Sequence, residues 1–272
     1  MIEILKAILF GIVEGVTEWL PISSTGHLIL LNQFVTLNVS DEFYEMFQVV
    51  IQLGAILAVI LLYFHTLNPF APSKSREEKI STWRLWGLVV VGCIPAALVG
   101  LPLDDWFNDH FYNYVTVAVM LIVYGVAYLF IERRQSSHPS NLRDFTWRTA
   151  LGIGLVQALS IIPGTSRSGS TILGGMLLGT SRKAAAEFSF FMAIPIMAGA
   201  SLVKTAKFFL RGGVMTGGEW GILLVSCAVA FVVSFFTIRA LVDYVRRHSF
   251  AVFGVYRIVL GVVVLGYFLI FG

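Results

Sequence analysis

Two polar stretches interrupt an otherwise apolar chain: Pro21-Ile22-Ser23-Ser24-Thr25-Gly26-His27 and Pro163-Gly164-Thr165-Ser166-Arg167-Ser168-Gly169-Ser170-Thr171. A shift of 143 residues carries the neighbourhood of the first onto the second. Gly11, Val13, Ser23, Gly26, Ile29 and Leu30 then meet identical residues at Gly154, Val156, Ser166, Gly169, Ile172 and Leu173. Thr17 and Thr25 fall on Ser160 and Ser168, and Glu14 falls on Gln157; at a shift of 142, Glu45 meets Glu187. Apolar sequence often matches itself by chance, but small-polar clusters do not. The match therefore reads as an internal duplication, with halves at about 1–131 and 149–272. Paired, interrupted hydrophobic segments in two halves point to a site near the middle of a membrane.

Outward from these loops the chain is built of eight apolar stretches, near 2–22, 44–64, 85–103, 113–131, 149–163, 184–203, 219–239 and 253–271. Hydrophobic residues make up 57% of the 272 and charged residues 13%, whereas soluble domains are under half apolar and about a quarter charged. A membrane helix takes about 20 residues, so little is left for anything else. A soluble enzyme domain, a secreted disulfide scaffold and a disordered chain are excluded. The net charge of +3 is spread over loops, which gives no basic face for nucleic acid. Cys93 and Cys227 sit in apolar runs without ligand spacing and read as inert thiols. Lys6, two glutamates and the lack of a small-residue cleavage site mark the N-terminus as part of the mature protein. Short links imply one membrane domain, 1–272.

Loop charge sets the orientation. If 1–35 and 149–181 dip in and return, six stretches span, and one side carries Lys74, Arg76, Lys79, Arg84, Arg133, Arg134, Arg143, Arg148, Arg182, Lys183, Arg239, Arg246 and Arg247. The other carries Lys6, Lys204, Lys207 and Arg211, a split of 13 to 4. Eight spans give about 12 to 5, so the positive-inside rule leans only slightly to the re-entrant arrangement. That arrangement alone makes the halves inverted copies. The expected fold is an all-α polytopic bundle with inverted internal repeats, about six spanning helices and two re-entrant helical hairpins. The 65–84 and 132–148 segments are placed in the cytoplasm, and the Asp104-Asp105-Asp109 loop outside.

The chemistry is expected where charge enters the apolar segments. Glu14 and Glu18 are four apart, on one helical face with Gly11 and Gly15. Buried acids are costly in a membrane, so the pair reads as a cation site or as carboxylates that tune a catalytic group. In the first loop Ser23, Ser24, Thr25 and Gly26 precede a new helix, the arrangement that offers backbone N–H groups to an anion. Ser24 and His27 are close enough for a nucleophile and its base. In the second loop Arg167, with a planar fork of donors suited to phosphate, stands among Ser166, Ser168, Gly169 and Thr171. Together these suit a phosphorylated substrate. Gln48, Gln52, Glu187 and Ser189 read as interhelical hydrogen-bonding residues, Arg257 as an ion pair or a functional contact. His65, His110, His138 and His248 read as solvated loop residues. Trp19, Trp83, Trp106, Trp147 and Trp220 fit interfacial belts.

The Glu14–His27 and Pro163–Thr171 segments resemble the two signature motifs of the bacitracin-resistance undecaprenyl-diphosphate phosphatases; Glu187-Phe188-Ser189-Phe190 and Tyr256-Arg257 match as well. The resemblance runs from the first helix to the last. It implies a multi-pass enzyme of the bacterial inner membrane that hydrolyses the polyprenyl diphosphate carrier to the monophosphate for peptidoglycan synthesis. It further implies a divalent cation, Mg²⁺ or Ca²⁺, and a site open to the periplasmic side. The active-site groups it implies are Glu14, Glu18, Ser23, Ser24, Thr25, His27 and Arg167. Membrane lipids are expected partners, a homodimer is allowed, and nucleic acid is not a partner.

The residues leave two mechanisms open. Ser24 attacks with His27 as base, or His27 itself is the nucleophile; Glu14 and Glu18 bind the cation or orient His27. A lipid-phosphate transporter or flippase using the same clamp is the competing reading. The acid-phosphatase-like lipid phosphatases are excluded, because the positions where they need histidine and aspartate hold Leu173 and Leu177.

Overall fold

The computed structural model describes residues 1–134 and 141–271; His138 lies outside the described residues. Twelve α-helices follow in order: α1 (Ile2–Thr17), α2 (Ser24–Phe34), α3 (Asp41–Val50), α4 (Gln52–Leu62), α5 (Phe64–Leu67), α6 (Arg76–Phe111), α7 (Tyr114–Arg134), α8 (Trp147–Ala158), α9 (Arg167–Leu177), α10 (Arg182–Leu210), α11 (Gly217–Val245) and α12 (Ala251–Phe271). Among the described residues six helices are long and apolar enough to cross a membrane: Asp41–Leu62, Arg76–Leu103, Tyr114–Arg134, Arg182–Leu210, Gly217–Val245 and Ala251–Ile270. The first joins α3 and α4 across Ile51, whose N–H still bonds back to Phe47. These are the six stretches expected to span.

The other two stretches form helix–loop–helix hairpins, α1–α2 and α8–α9. With 16 and 12 residues, α1 and α8 reach about 24 and 18 Å at roughly 1.5 Å per residue, short of the hydrocarbon thickness of about 30 Å. Each hairpin leans on a spanning helix from the other half of the sequence: α1 packs along α11, and α8 along α6. Small residues permit both contacts. A Cβ on Gly11 would lie 2.7 Å from the Ser226 carbonyl oxygen, and one on Gly154 would collide with the Gly92 carbonyl. Close backbone approach of this kind drives helix association in lipid, where apolar burial alone gives little. Ser226 Oγ adds a bond to the Ala7 carbonyl at 2.9 Å. The remaining long contacts, α7 with α12 and α10 with α3 and α4, close the bundle around the two hairpin loops.

Three local expectations change. The acidic segment after Leu103 is helix, because α6 continues to Phe111 and carries His110 in its last turn. No glycine or proline stops it there; one turn along, Trp106 stacks on His110, and the Phe107 and Phe111 rings meet at a tilt of 30°. His65 likewise lies in a short helix, α5. Trp19 is not interfacial: it is fully buried, edge-on to Phe190 at 5.4 Å. Trp83, Trp106, Trp147 and Trp220 are exposed, as membrane-interface residues would be.

Candidate active site

The two loops are made the same way. Ser23 and Ser166 are the N-caps of α2 and α9, and among the described residues they are the only non-glycine residues at positive φ, 74° and 72°. Each hydroxyl accepts the backbone N–H three residues on, from Gly26 at 3.3 Å and Gly169 at 3.0 Å. A side chain in this backbone region costs about 1–3 kcal/mol, and such strain gathers at functional sites. Its consequence here is that both helix N-termini turn into one cavity of about 180 Å³. Glu18, Ser23, Ser24, Thr25, Ser166 and Arg167 line it.

Glu18 organises the centre. Ser24 Oγ donates to one of its carboxylate oxygens at 2.5 Å, and Arg167 Nη2 donates to the other at 2.9 Å. Arg167 is steadied from α10, where Nη1 donates to the Ser189 carbonyl at 2.9 Å and to its hydroxyl at 3.3 Å. Ser168 Oγ donates to the Glu18 carbonyl at 2.9 Å and so fixes the residue that carries the carboxylate. Arg167 Nε is buried and has no partner in the protein. A guanidinium offers five N–H donors, and this one keeps donors free beside the cavity.

His27 faces elsewhere. Its Nδ1 lies 2.7 Å from the Ser23 carbonyl oxygen, and its Nε2 lies 2.7 Å from the Tyr256 hydroxyl on α12. A carbonyl only accepts, so Nδ1 carries a proton, and in the neutral ring Nε2 accepts from Tyr256. Both ring nitrogens are thus engaged, and the hydroxyl of Ser24 goes to Glu18. Neither glutamate orients His27. The imidazole instead folds back onto the carbonyl of the strained N-cap and ties that turn to α12.

Glu14 sits one turn before Glu18, fully buried, and neither carboxylate oxygen has a hydrogen bond. Its counterpart Gln157 is equally buried and equally unbonded. Among the remaining loop residues, the Gly26 and Gly169 N–H groups are spent on the caps. Thr171 Oγ1 turns inward to Arg167 and Ser189, and the Gly169 carbonyl accepts from the Tyr128 hydroxyl at 2.8 Å. Ser23, Ser24, Thr25 and Ser166 remain as the loop hydroxyls that face the cavity.

Arg257 is the residue whose place the sequence left open. It is fully buried, and among the described residues no carboxylate pairs with it. Nη1 donates to the Pro21 carbonyl at 2.9 Å, and Nη2 to the carbonyls of Gly164 and Thr165 at 2.8 and 2.9 Å. One guanidinium therefore binds both loops together from behind. An arginine inside an apolar helix was the available signal; that its partners are carbonyls was not. Gln52 and Ser160 also line the cavity. Glu187 stands apart, 3.6 Å from Lys183. Cys93 Sγ lies 3.8 Å from the Met192 carbonyl oxygen and Cys227 Sγ 3.6 Å from that of Val50.

A polytopic helix bundle with six helices long and apolar enough to span, in which two matched loops bring serine, carboxylate and guanidinium to one cavity, is an integral membrane protein. The family described as bacitracin resistance protein BacA matches residues 7–263. The chain is 55% identical over 267 residues to the undecaprenyl-diphosphatase of Enterococcus faecalis, covering 97% of each chain. It is 56% identical over 270 residues to that of Streptococcus thermophilus, covering 98% of this chain and 94% of that one. With that of Lactiplantibacillus plantarum the identity is 54% over 271 residues and 98% of each. The chain belongs to the bacitracin resistance protein BacA family.

Proposed function

We propose that this chain is an undecaprenyl-diphosphate phosphatase, which hydrolyses the lipid diphosphate to undecaprenyl phosphate and inorganic phosphate with Ser24 as nucleophile. The single observation that carries the mechanism is the 2.5 Å bond from Ser24 Oγ to Glu18. As Ser24 attacks the terminal phosphorus, its proton passes to Glu18, and the anhydride P–O bond breaks to release the lipid monophosphate anion. Glu18 gives that proton to the departing monophosphate; water then attacks the phosphoserine with Glu18 again as base, the serine–phosphorus bond breaks, and Glu18 returns the proton to the serine oxygen as phosphate leaves. Arg167, through its unpartnered Nε–H, and the first-turn N–H groups of α2 and α9 stabilise charge on the transferred group. With both its nitrogens engaged, His27 positions the Ser23 turn.

A divalent cation, Mg²⁺ or Ca²⁺, fits the carboxylates in part. Such ions take oxygen ligands, usually one or two carboxylates with substrate phosphates. Glu14 has two buried oxygens without partners, and Glu18, with both oxygens accepting, has lone pairs left. Among the described residues no group of three such side chains stands ready to hold an ion, so the substrate would complete the set. The ion would neutralise diphosphate charge.

The membrane is the bacterial inner membrane and the cavity opens to its periplasmic side. At about 1.5 Å per residue, the cavity-lining Ala200 lies roughly 27 Å along α10 from Arg182, on the basic side, but roughly 15 Å from Leu210. The two halves are inverted copies, a reading supported by the matched serine caps and the reciprocal α1–α11 and α8–α6 contacts. Every group named belongs to one chain, so a homodimer would carry two complete sites. The test is phosphate release from undecaprenyl diphosphate by purified protein in detergent, with and without chelator. Release there supports hydrolysis, since no transport occurs in micelles; binding without release would favour the transporter.

A further inference from the structure

A second charged cleft lies far from Ser24 in lining and in character. It has a volume of about 240 Å³ and forms where the start of α6 meets the 141–145 segment, on the side of the bundle rich in lysine and arginine. Lys74, Arg84 and Arg143 line it. Its one carboxylate, Glu78, is committed to a helix cap, accepting the Ser75 N–H at 2.7 Å while Ser75 Oγ accepts the Glu78 N–H at 3.2 Å. Lys74 is only 8% exposed. Its ammonium donates to Thr82 Oγ1 at 2.6 Å and to the Thr66 carbonyl at 3.2 Å, both neutral, and among the described residues no carboxylate pairs with it. Lysine is almost never so buried without a counter-ion. Arg84 donates to the carbonyls of Arg143 and Phe145 at 2.9 and 2.8 Å, which holds its guanidinium against the backbone that carries Arg143. The cleft thus gathers three cations against one carboxylate, which leaves positive charge in excess.

Its walls say what kind of anion fits. Leu85 and Leu88 give it an apolar side, continuous with a helix long and apolar enough to span. Beside it Phe70 and Trp83 are exposed and pack edge to face at 5.7 Å. Aromatic residues so placed sit at headgroup level, and basic pockets there take anionic lipid headgroups. We propose that this cleft binds the phosphate of an anionic glycerophospholipid from the leaflet on the basic side. The apolar wall favours a phosphate that carries acyl chains over free inorganic phosphate.

The test reads binding by the purified full chain in neutral detergent, so it stands apart from the phosphatase assignment. Phosphatidylglycerol, phosphatidylcholine and inorganic phosphate are titrated at equal ionic strength, and bound lipid is read by native mass spectrometry. Arg143→Gln alters an exposed side chain; Arg84→Gln/Arg143→Gln removes two charges. A basic residue near a lipid surface is worth about 1 kcal/mol, or about fivefold in affinity. Phosphatidylglycerol is expected to bind at least about tenfold more tightly than phosphatidylcholine, and to weaken about fivefold in the single variant and about 25-fold in the double. Equal affinity for the two lipids, or unchanged affinity in the double variant, would overturn the site. Inorganic phosphate displacing phosphatidylglycerol at equal concentration would overturn the lipid as its source.

Discussion

Replacing Glu18 by glutamine keeps the side chain's shape and removes its charge and basicity. In the native site both oxygens accept, one from Ser24 at 2.5 Å and one from Arg167 at 2.9 Å. An amide cannot satisfy both donors. If its oxygen faces Ser24, its NH₂ meets the Arg167 donors; if its oxygen faces Arg167, its NH₂ meets Ser24 and the hydroxyl has no base. A positioned general base contributes about 10²–10⁴-fold, equal to about 2.7–5.4 kcal/mol at roughly 1.36 kcal/mol per decade. Turnover is therefore expected to fall about 10²–10⁴-fold in Glu18→Gln. The assay is phosphate release in detergent at saturating lipid diphosphate, with substrate binding measured separately and the unfolding midpoint recorded to show that the fold persists. Because the ion pair is buried, some loss of stability accompanies the change. Turnover within about threefold of the parent, far below the expected loss, would refute Glu18 as the base, whatever the stability.

Two further substitutions probe the supports of the site. Tyr256→Phe deletes the donor to His27 Nε2 while keeping the ring; a hydrogen bond worth about 0.5–1.5 kcal/mol predicts a two- to twelvefold drop in kcat with KM nearly unchanged, read by initial rates. Arg257→Lys keeps a charge but loses the fork that reaches Pro21, Gly164 and Thr165. Each buried carbonyl left unbonded costs about 1–3 kcal/mol, so the unfolding midpoint in detergent and the activity are expected to fall together.

The sequence and the structure agree most closely where membrane physics acts alone. Spans are long apolar runs, and all six were readable because only helices and closed barrels satisfy a backbone in lipid, and apolar runs of about 20 residues have the length of the helix. The hairpins were readable because Ser23 and Ser166 recur at the same place in two halves. Glu14, Glu18 and Arg167 stood out because a charge in apolar sequence is costly. What stayed hidden depends on side-chain direction. Ser24 and His27 look like partners by spacing, yet the left-handed turn at Ser23 sends one to Glu18 and the other to Tyr256, a residue 229 positions away. Arg257 could be seen as anomalous, but its carbonyl partners arise only once both loops are folded. Trp19 had the composition of an interface residue and became core because its hairpin turns back inside the bundle.

The central claim is that Ser24, activated by Glu18, becomes phosphorylated during turnover. Rapid acid quench of the enzyme with lipid diphosphate labelled in its terminal phosphate, followed by peptide mass spectrometry, tests it directly. The account predicts one acid-stable phosphoryl group on Ser24 that is absent from Ser24→Ala. An acid-labile phosphoryl group on His27, still formed by Ser24→Ala, would contradict it.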